Sequence, residues 1–156
     1  APFLPMSWID QKVPNSWDAD VIKGSNDAED TLTAGKGNQT LMGLKFDDIL
    51  IGGSGSDFLV GGEGADTFQF NSMDDSRPGG KRDVITDFNG EEGDRIDLSN
   101  IQTTIKFIGS AEFSGSPGEV RFDAGILQLN TDKDQNSDME IELANVQSFS
   151  SDYLIL

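Results

Sequence analysis

The sequence of 156 residues contains no cysteine and no histidine, and each absence excludes a class of chemistry. Without cysteine, neither disulfides nor thiolate metal sites hold the fold. Without histidine, the chain lacks the base of Ser-His-Asp and Cys-His nucleophile systems, the ligands of an HExxH zinc site and those of most transition-metal centres. Metal chemistry is therefore left to oxygen ligands, which hard cations such as calcium prefer.

Basic residues and long apolar runs are scarce as well. Lys and Arg total 11 against 28 for Asp and Glu, so the net charge is −17. Nucleic acid and anionic lipid both require a basic surface, so we expect neither as a partner. No apolar run approaches the roughly 18 residues of a membrane span, and the N-terminus lacks the pattern of a cleavable export signal. A divalent cation is the natural counter-charge for such a chain.

A repeat of nine residues organises the first half of the chain. Each copy of the repeat has one apolar residue at a constant position, and an acid, or Gln39 in the second copy, stands two positions before it. Each copy divides into a glycine-rich turn of six residues and three residues, such as Ile49–Ile51, whose β-branched and aromatic side chains suit a short strand. The pattern predicts a coil of short strands whose central residues point inward. Those central residues are Leu32, Leu41, Leu50, Leu59 and Phe68.

Two copies make one winding of such a coil, so the turns of alternate copies stack on the same edge. This places Asp30, Asp48 and Asp66 in one stack and Asp57 above Gln39 in the other. The glycines allow positive φ angles and a tight turn that exposes carbonyl oxygens in a ring. Carboxylates stacked in this ring repel one another unless a cation lies between them, and Ca²⁺ accepts six to eight oxygens at about 2.3–2.6 Å.

The sequence therefore predicts calcium sites in the turns. An alternative interpretation is a flexible, solvated linker, which glycine-rich acidic sequence often forms. The constant phase argues against a linker, because random drift rarely keeps five apolar residues at one spacing. The residues predicted to build the sites are Asp30, Asp48, Gly52, Gly53, Gly55, Asp57, Gly61, Gly62, Gly64 and Asp66.

Residues 25–69 resemble the nonapeptide GGxGxDxUx of the RTX (repeats-in-toxin) proteins, a calcium-binding β-helix repeat. The fourth and fifth copies follow the pattern fully. Leu44 and Phe46 replace glycines in the third copy and Gln39 replaces an acid in the second, so we expect sites that use those turns to be weak, distorted or empty. Beyond the repeat, the chain is similar in order and type to the C-terminal domain of serralysin-type metalloproteases, in residues 83–88, 94–99, 113–122, 132–143 and 152–156.

The resemblance implies an all-β fold: a parallel β-roll of nonapeptide calcium-binding repeats capped by C-terminal antiparallel strands. It implies a secreted, extracellular bacterial module without catalytic activity, which folds with Ca²⁺ outside the cell and supports export through a type I secretion channel. We expect a parent-protein domain on its N-terminal side. We divide the chain into a linker or N-terminal cap (1–24), the β-roll (25–78) and a capping and secretion-signal region (79–156).

Two acids beyond the repeat are candidates for closing the last calcium site. Asp75 keeps the nine-residue phase from Asp66, so we expect it above Asp57, and Asp87 is expected to close the last coil. The alternative for both is an ordinary solvated loop residue.

A second acidic segment reads TDKDQNSD and partly resembles the start of an EF-hand loop. Ser137 stands where that loop requires glycine, and Leu143 occupies its twelfth position, so an EF-hand is disfavoured. A smaller oxygen-ligand site and a plain polar hairpin tip both stay open. The candidate ligands are Asp132, Asp134, Asn136 and Asp138.

The C-terminal half predicts the cap. Residues 119–130 alternate around 123–125, the pattern of a hairpin with one buried face. Outward-pointing apolar residues of the roll require cover, and we expect the C-terminal strands to pack there; the alternative is an apolar patch that awaits a partner domain. These residues are Ile49, Ile51, Phe58 and Val60.

Two other functions compete with a calcium-dependent export module. RTX rolls similar to this one occur as R-modules of alginate C5-epimerases, so a polysaccharide-binding module is the first alternative, although basic residues are scattered. The second is an enzyme in which Glu140 and Glu142 act as a glycosidase pair. Strand alternation places both on one face, where a solvated sheet surface is the simpler role.

Overall fold

Thirteen short strands form two sheets in the computed structural model, which describes residues 20–101 and 104–156. In those residues there is no α-helix, only 3-10 turns such as Met73–Asp75, and no helix has the length and apolarity needed to cross a membrane. The strands are Val21–Lys23 (β1), Thr31–Thr33 (β2), Thr40–Met42 (β3), Ile49–Ile51 (β4), Phe58–Val60 (β5), Thr67–Gln69 (β6), Asp83–Ile85 (β7), Arg95–Asp97 (β8), Lys106–Phe107 (β9), Glu119–Asp123 (β10), Ile126–Asn130 (β11), Met139–Leu143 (β12) and Leu154–Ile155 (β13).

The nine-residue repeat winds the chain into a parallel coil of two facing sheets. Strands β1, β3, β5 and β7 pair in parallel in one sheet, and β2, β4, β6 and β8 pair in parallel in the other. Thr31 lies beside Ile49 and Thr40 beside Phe58, so one winding takes two copies of the repeat. The predicted all-β parallel roll is confirmed.

The core of the roll consists of the apolar repeat residues. Leu41, Leu50, Leu59 and Phe68 are fully buried between the two sheets. Each buried leucine contributes about 2 kcal/mol through removal of its apolar surface from water. The aromatic ring of Phe88 lies 6.2 Å from that of Phe68 and extends this core towards the C-terminal half. The predicted inward direction of the central strand residues is therefore confirmed.

The antiparallel cap continues the first sheet. Strand β12 pairs in parallel with β7, and β11 and β10 follow in antiparallel order. The loop between β10 and β11 has two residues, Ala124 at φ 51° and Gly125 at φ 81°, and such paired positive angles match the right-handed twist of a hairpin. The predicted hairpin and the predicted C-terminal antiparallel strands are confirmed.

The expected position of these strands over the outward faces of the roll is wrong. Strands β12 and β13 hydrogen-bond to β7 and β8 instead, and so lengthen both sheets. The physical reason is that a sheet edge presents unpaired backbone groups, which an added strand satisfies directly. Of the residues expected to be covered, Ile51 and Phe58 are half-buried, Val60 is buried and Ile49 remains 36% exposed.

The parallel winding extends beyond residues 25–78 on both sides. Strand β1 pairs with β3, and β7 and β8 add a further winding after the last nonapeptide. The linker or N-terminal cap expected at 1–24 falls on residues 1–19, which lie outside the described residues, and on β1, which belongs to the roll.

Candidate metal centre

The turns of the roll form two edges. We call edge I the turns at 24–30, 43–48, 61–66 and 86–94, which lead from the first sheet to the second. Edge II consists of the turns at 34–39, 52–57 and 70–82, which lead back. Side chains of both signs lie on edge II, whereas Lys45 is the single basic residue of edge I.

Aspartates on edge I form a continuous stack. Each uses Oδ1 to accept the backbone N–H of the residue in the turn below. Asp48 accepts from Asp30 at 2.8 Å, Asp66 from Asp48 at 2.9 Å, and Asp94 from Asp66 at 2.9 Å. The predicted stacking of Asp30, Asp48 and Asp66 is confirmed.

Edge II carries a shorter stack of the same kind. Asp57 Oδ1 accepts the N–H of Gln39 at 2.8 Å, and Asp83 Oδ1 accepts the N–H of Asp57 at 2.8 Å. The predicted position of Asp57 above Gln39 is confirmed. In both turns the N–H of the sixth residue is thus satisfied by a carboxylate 18 or more residues further along the chain.

The second carboxylate oxygen of the inner aspartates is buried without a partner. Within residues 20–101 and 104–156, Oδ2 of Asp48, Asp57, Asp66 and Asp83 is shielded from solvent and accepts no hydrogen bond. A buried charged oxygen without a donor or a cation costs several kcal/mol. At the ends of edge I the oxygen is satisfied, because Oδ2 of Asp30 accepts Ser25 N–H and Oδ2 of Asp94 accepts Asn89 N–H.

Burial is the main reason that these acids hold their protons tightly. It raises the pKa of Asp48 to about 6, of Asp57 to about 7, of Asp66 to about 8 and of Asp83 to about 9. The backbone hydrogen bonds lower each pKa in part, and neighbouring carboxylates raise it further. Near neutral pH the folded turns therefore favour either a proton or a cation at these oxygens.

Carbonyl oxygens complete the surroundings of these carboxylates. The carbonyl of Leu44 lies against Gly62 and that of Phe46 against Gly64, while the carbonyl of Gly35 lies 2.5 Å from where a Cβ at Gly53 would stand. A Cβ at Gly43 would lie 2.5 Å from Oδ2 of Asp48 and 2.6 Å from the carbonyl oxygen of Gly61. Hard oxygen donors with unmatched negative charge fit calcium.

The chain matches the family model described as "Peptidase M10 serralysin C terminal" over residues 27–155. The chain belongs to this family. A comparison with curated proteins found no match.

Two solved structures are similar to this serralysin C-terminal domain, and both are subunits of an Azotobacter vinelandii mannuronan C5-epimerase. The AlgE6R2 subunit is 28% identical over 90% of this chain and 95% of its own, with a TM-score of 0.55. The AlgE6R3 subunit is 29% identical over 84% of this chain and 80% of its own, with a TM-score of 0.50. The similarity supports a module of a larger serralysin-like or epimerase-like protein.

The turn glycines of the domain divide into two classes. Gly53, Gly55, Gly62 and Gly64 adopt φ angles between 76° and 117°, the conformation predicted for them. The same prediction is wrong for Gly52 and Gly61, the first glycines of these two turns, which do not adopt a positive φ. A Cβ at Gly52 would lie 2.6 Å from Oδ2 of Asp57, and a Cβ at Gly61 would overlap Oδ2 of Asp66. These positions therefore require glycine because there is no room for a side chain.

Asp75 does not lie above Asp57, because Asp83 occupies that position. The segment between β6 and β7 is longer than a nonapeptide turn and breaks the nine-residue phase. Asp75 instead accepts the N–H groups of Asn71 at 3.0 Å and Ser72 at 3.2 Å in a 3-10 turn. Its charge still raises the pKa of Asp57 and Asp83 after burial has done so, so Asp75 lies near this end of edge II.

Asp87 lies at the end of edge I, where it accepts the N–H groups of Gly61 at 2.9 Å and Gly62 at 2.8 Å, one with each oxygen. Burial raises its pKa. These bonds join β7 to the preceding turn, and its role as a metal ligand stays a prediction.

Sequence reasoning missed Asp83 and Asp94 as members of the stacks. Their Oδ1 atoms accept from residues 26 and 28 positions earlier, not 18. A signal was available, because each stands two positions before a fully buried residue, Ile85 or Ile96, as in the repeats.

The acidic hairpin loop brings three of its four predicted ligands together. Carboxylate oxygens of Asp132, Asp134 and Asp138 lie within 4.8 Å of one another. Asn136 joins them through its backbone N–H, which donates to Asp134 Oδ1 at 2.9 Å. The N–H of Asp134 lowers the pKa of Asp132, but local desolvation and the neighbouring carboxylates of Asp134 and Asp138 outweigh this and raise it. A small oxygen-ligand site and a polar hairpin tip both remain compatible with this geometry.

Proposed function

We propose that this chain is a calcium-binding module that folds on Ca²⁺ outside the cell and supports the type I secretion and stability of a larger exported protein. The observation that carries the proposal is the set of buried Oδ2 atoms described above. Bound calcium would supply the positive charge that these oxygens lack, and the carbonyls of the stacked turns would complete its oxygen shell.

The inner members of the two stacks are the proposed ligands. Asp48 and Asp66 would act on edge I, and Asp57 and Asp83 on edge II, with Asp30, Asp75 and Asp87 at the ends. The loop at 132–138 is a further candidate. Because calcium binds the folded turns and not the extended chain, its binding free energy adds to folding, and several sites together make the response steep.

A non-catalytic role is supported by the contacts of Glu140 and Glu142, the two acids considered above as a glycosidase pair. Both oxygens of Glu140 accept hydrogen bonds, from Gly79, Arg82, Gln128 and Ser137. Burial raises the pKa of Glu140, but these bonds outweigh it and lower the pKa. Glu142 forms an ion pair with Arg82 at 2.9 Å. The two acids thus hold the outer face of β12 to the roll.

The proposal is tested by following circular dichroism of the chain during chelation and calcium titration. We expect loss of the β-signal in chelator, its return with calcium, and binding of several ions by calorimetry. Asp66→Asn removes a proposed ligand and should raise the midpoint calcium concentration at least severalfold. Glu63→Gln is the matched control, because Glu63 is an exposed acid of the same turn.

An unchanged spectrum in thorough chelation would overturn the proposal. Equal midpoint shifts for Asp66→Asn and Glu63→Gln would show that net charge, not the buried carboxylate, governs calcium binding.

A second candidate function is calcium-dependent binding of an acidic polysaccharide. A groove of about 520 Å³ on edge II presents hydroxyl, amide and cationic groups, and Lys81 and Arg77 are its basic residues. Arg77 already forms an ion pair with Asp74 at 2.8 Å. Lys81 is therefore the better candidate for contacting an acidic ligand. The similarity to epimerase subunits also favours this function. The polar side chains of the groove are Asn38, Ser54, Ser56, Asp74, Arg77 and Lys81.

Titration of alginate oligomers in saturating calcium, followed by NMR or calorimetry, tests this candidate. Binding that is weakened by Lys81→Ala and unaffected by Lys23→Ala on β1 would support it. No response at millimolar oligomer would remove it.

A further inference from the structure

Two residues in the third copy of the repeat adopt a backbone conformation that side chains disfavour. Leu44 and Phe46 both have φ of 77°, in the turn that leads from β3 to β4. The equivalent residues of the next two copies are glycines, whose positive φ angles carry no Cβ penalty. In Leu44 and Phe46 the same angles bring Cβ close to the following carbonyl oxygen, which is a source of backbone strain.

The strained turn retains the shape of the glycine turns. The carbonyls of Leu44 and Phe46 lie against Gly62 and Gly64 of the next winding, just as those of Gly35 and Gly37 lie against Gly53 and Gly55. Glu63 N–H donates to the Leu44 carbonyl at 2.8 Å. The backbone of this turn therefore follows that of its neighbours. The expectation that calcium sites using this turn are weak, distorted or empty stays a prediction.

Side-chain packing does little to offset this strain. Phe46 leaves 46% of its surface exposed, which is unusual for a phenylalanine, and Leu44 is half-buried. Asp47, between Phe46 and Asp48, accepts the N–H of Ala65 at 2.8 Å as Asn38 accepts that of Ser56 at 2.9 Å. The hydrogen bonds of the turn are thus those of its neighbours, and the difference lies in backbone conformation.

We propose that the turn containing Leu44 and Phe46 sets the calcium concentration at which the roll folds. The strain exists only in the folded state, since the unfolded chain is free to leave positive φ. Through linkage, any cost confined to the folded state raises the calcium concentration needed to populate it. This inference rests on the proposed calcium-dependent folding.

The position of this turn gives the strain a wide effect. The turn lies in the middle of edge I, where Asp48 Oδ1 accepts from the turn below and the N–H of Asp48 donates to the turn above. The contact of this turn with the turn below and its contact with the turn above therefore both depend on its left-handed angles. Loss of this turn would divide the edge I stack into two parts.

The test compares alanine and glycine at position 46 by calcium titration of circular dichroism. Phe46→Ala removes the ring and keeps the Cβ, whereas Phe46→Gly also removes the Cβ. We expect the glycine variant to fold at about half the calcium concentration of the alanine variant. Phe46→Val should require more calcium than Phe46→Ala, because a β-branched residue tolerates positive φ least.

Lys45 supplies the matched control, because it lies between the two strained residues without a positive φ. There the order should invert: Lys45→Gly should require more calcium than Lys45→Ala, since glycine adds unfolded-state entropy without relieving strain. Leu44→Gly combined with Phe46→Gly should lower the wild-type midpoint further than Phe46→Gly alone. Full spectra at saturating calcium show that each variant folds.

The outcomes separate the two proposals. If wild type stays folded in chelator, the proposed function fails. If wild type responds to calcium but glycine and alanine at position 46 give equal midpoints, or the order at position 45 matches that at 46, the strained turn does not set the threshold.

Discussion

At the residue scale, the decisive feature is a carboxylate with one satisfied and one unsatisfied oxygen. Composition alone indicates repulsion among many acids as the obstacle to folding. The buried aspartates indicate that burial matters more than repulsion, because burial raises the pKa of Asp66 more than the neighbouring carboxylates do. Removal from water is therefore the larger penalty, and repulsion adds to it.

These pKa shifts predict how the calcium-free chain responds to pH. The folded pKa of Asp48 is about 6 and that of Asp83 about 9, both above the ordinary 3.8. Between roughly pH 4 and 9 the folded state therefore binds more protons than the unfolded state, so stability is present at low pH and is lost as pH rises. In chelator, we expect a larger folded fraction at pH 5 than at pH 8, measured by circular dichroism.

Calcium should reverse much of this dependence, because it competes with protons for the same oxygens. The same measurement in millimolar calcium is the control, and it should show greater stability at pH 8 than the chelated chain does. Greater stability of the chelated chain at pH 8 than at pH 5 would contradict the assignment of buried, cation-free carboxylates.

The sequence predicted those stack members that keep a constant phase. Asp30, Asp48 and Asp66 recur every 18 residues, so one periodicity places all of them. Asp83 follows a segment of irregular length, and no local pattern states which turn it will reach. For the same reason Asp75 was predicted in a position that Asp83 occupies.

At the element scale, the turn glycines differ in the space that they leave for a side chain. A Cβ at Gly43 would meet both Oδ2 of Asp48 and the Gly61 carbonyl, whereas a Cβ at Gly35 would meet no described atom within 4 Å. We expect Gly43→Ala to lower the free energy of unfolding in calcium by about 2–3 kcal/mol through lost packing and displaced oxygens. Gly35→Ala is the matched control and should change it by less than about 1 kcal/mol. Equal effects in urea denaturation would contradict the close stacking.

One buried hydroxyl contributes to the contact between the roll and the cap. Ser76 Oγ accepts the N–H of Asp83 at 2.8 Å and donates to the Glu140 carbonyl, so it connects β7 to β12. Ser76→Ala should cost about 2 kcal/mol in saturating calcium, because both partners lose a buried hydrogen bond.

Ser72→Ala provides the comparison for this joint. Ser72 caps an exposed 3-10 turn by accepting Asp74 N–H, and its loss should cost less than about 1 kcal/mol. A Ser76→Ala effect no larger than that of Ser72→Ala would show that β12 is held to β7 by the backbone ladder alone. Alternation predicted the hairpin of β10 and β11, but the pairing of β12 with β7 is a long-range contact that no local pattern specifies.

At the scale of the whole molecule, the charge of −17 is unevenly distributed between the two edges. On edge I, Lys45 is the single basic residue, and all other charged residues are acids. Edge II combines three acids with four basic residues, Lys36, Arg77, Lys81 and Arg82. Long-range repulsion is therefore concentrated on edge I, whereas buried unpartnered oxygens occur on both. If repulsion limited folding, screening would be sufficient to restore it; if burial limits folding, a ligand in the turns is required.

Monovalent salt distinguishes these two causes. At 1 M NaCl the Debye length is about 3 Å, so repulsion between exposed acids is almost removed, but a buried oxygen stays unsolvated. We expect 1 M NaCl in chelator to leave the chain unfolded by circular dichroism, and millimolar calcium to fold it. Magnesium at the same concentration should be much less effective, because it dehydrates reluctantly and requires near-octahedral geometry. Recovery of the fold in NaCl alone would show that repulsion is the main obstacle and that the buried Oδ2 atoms do not need a cation.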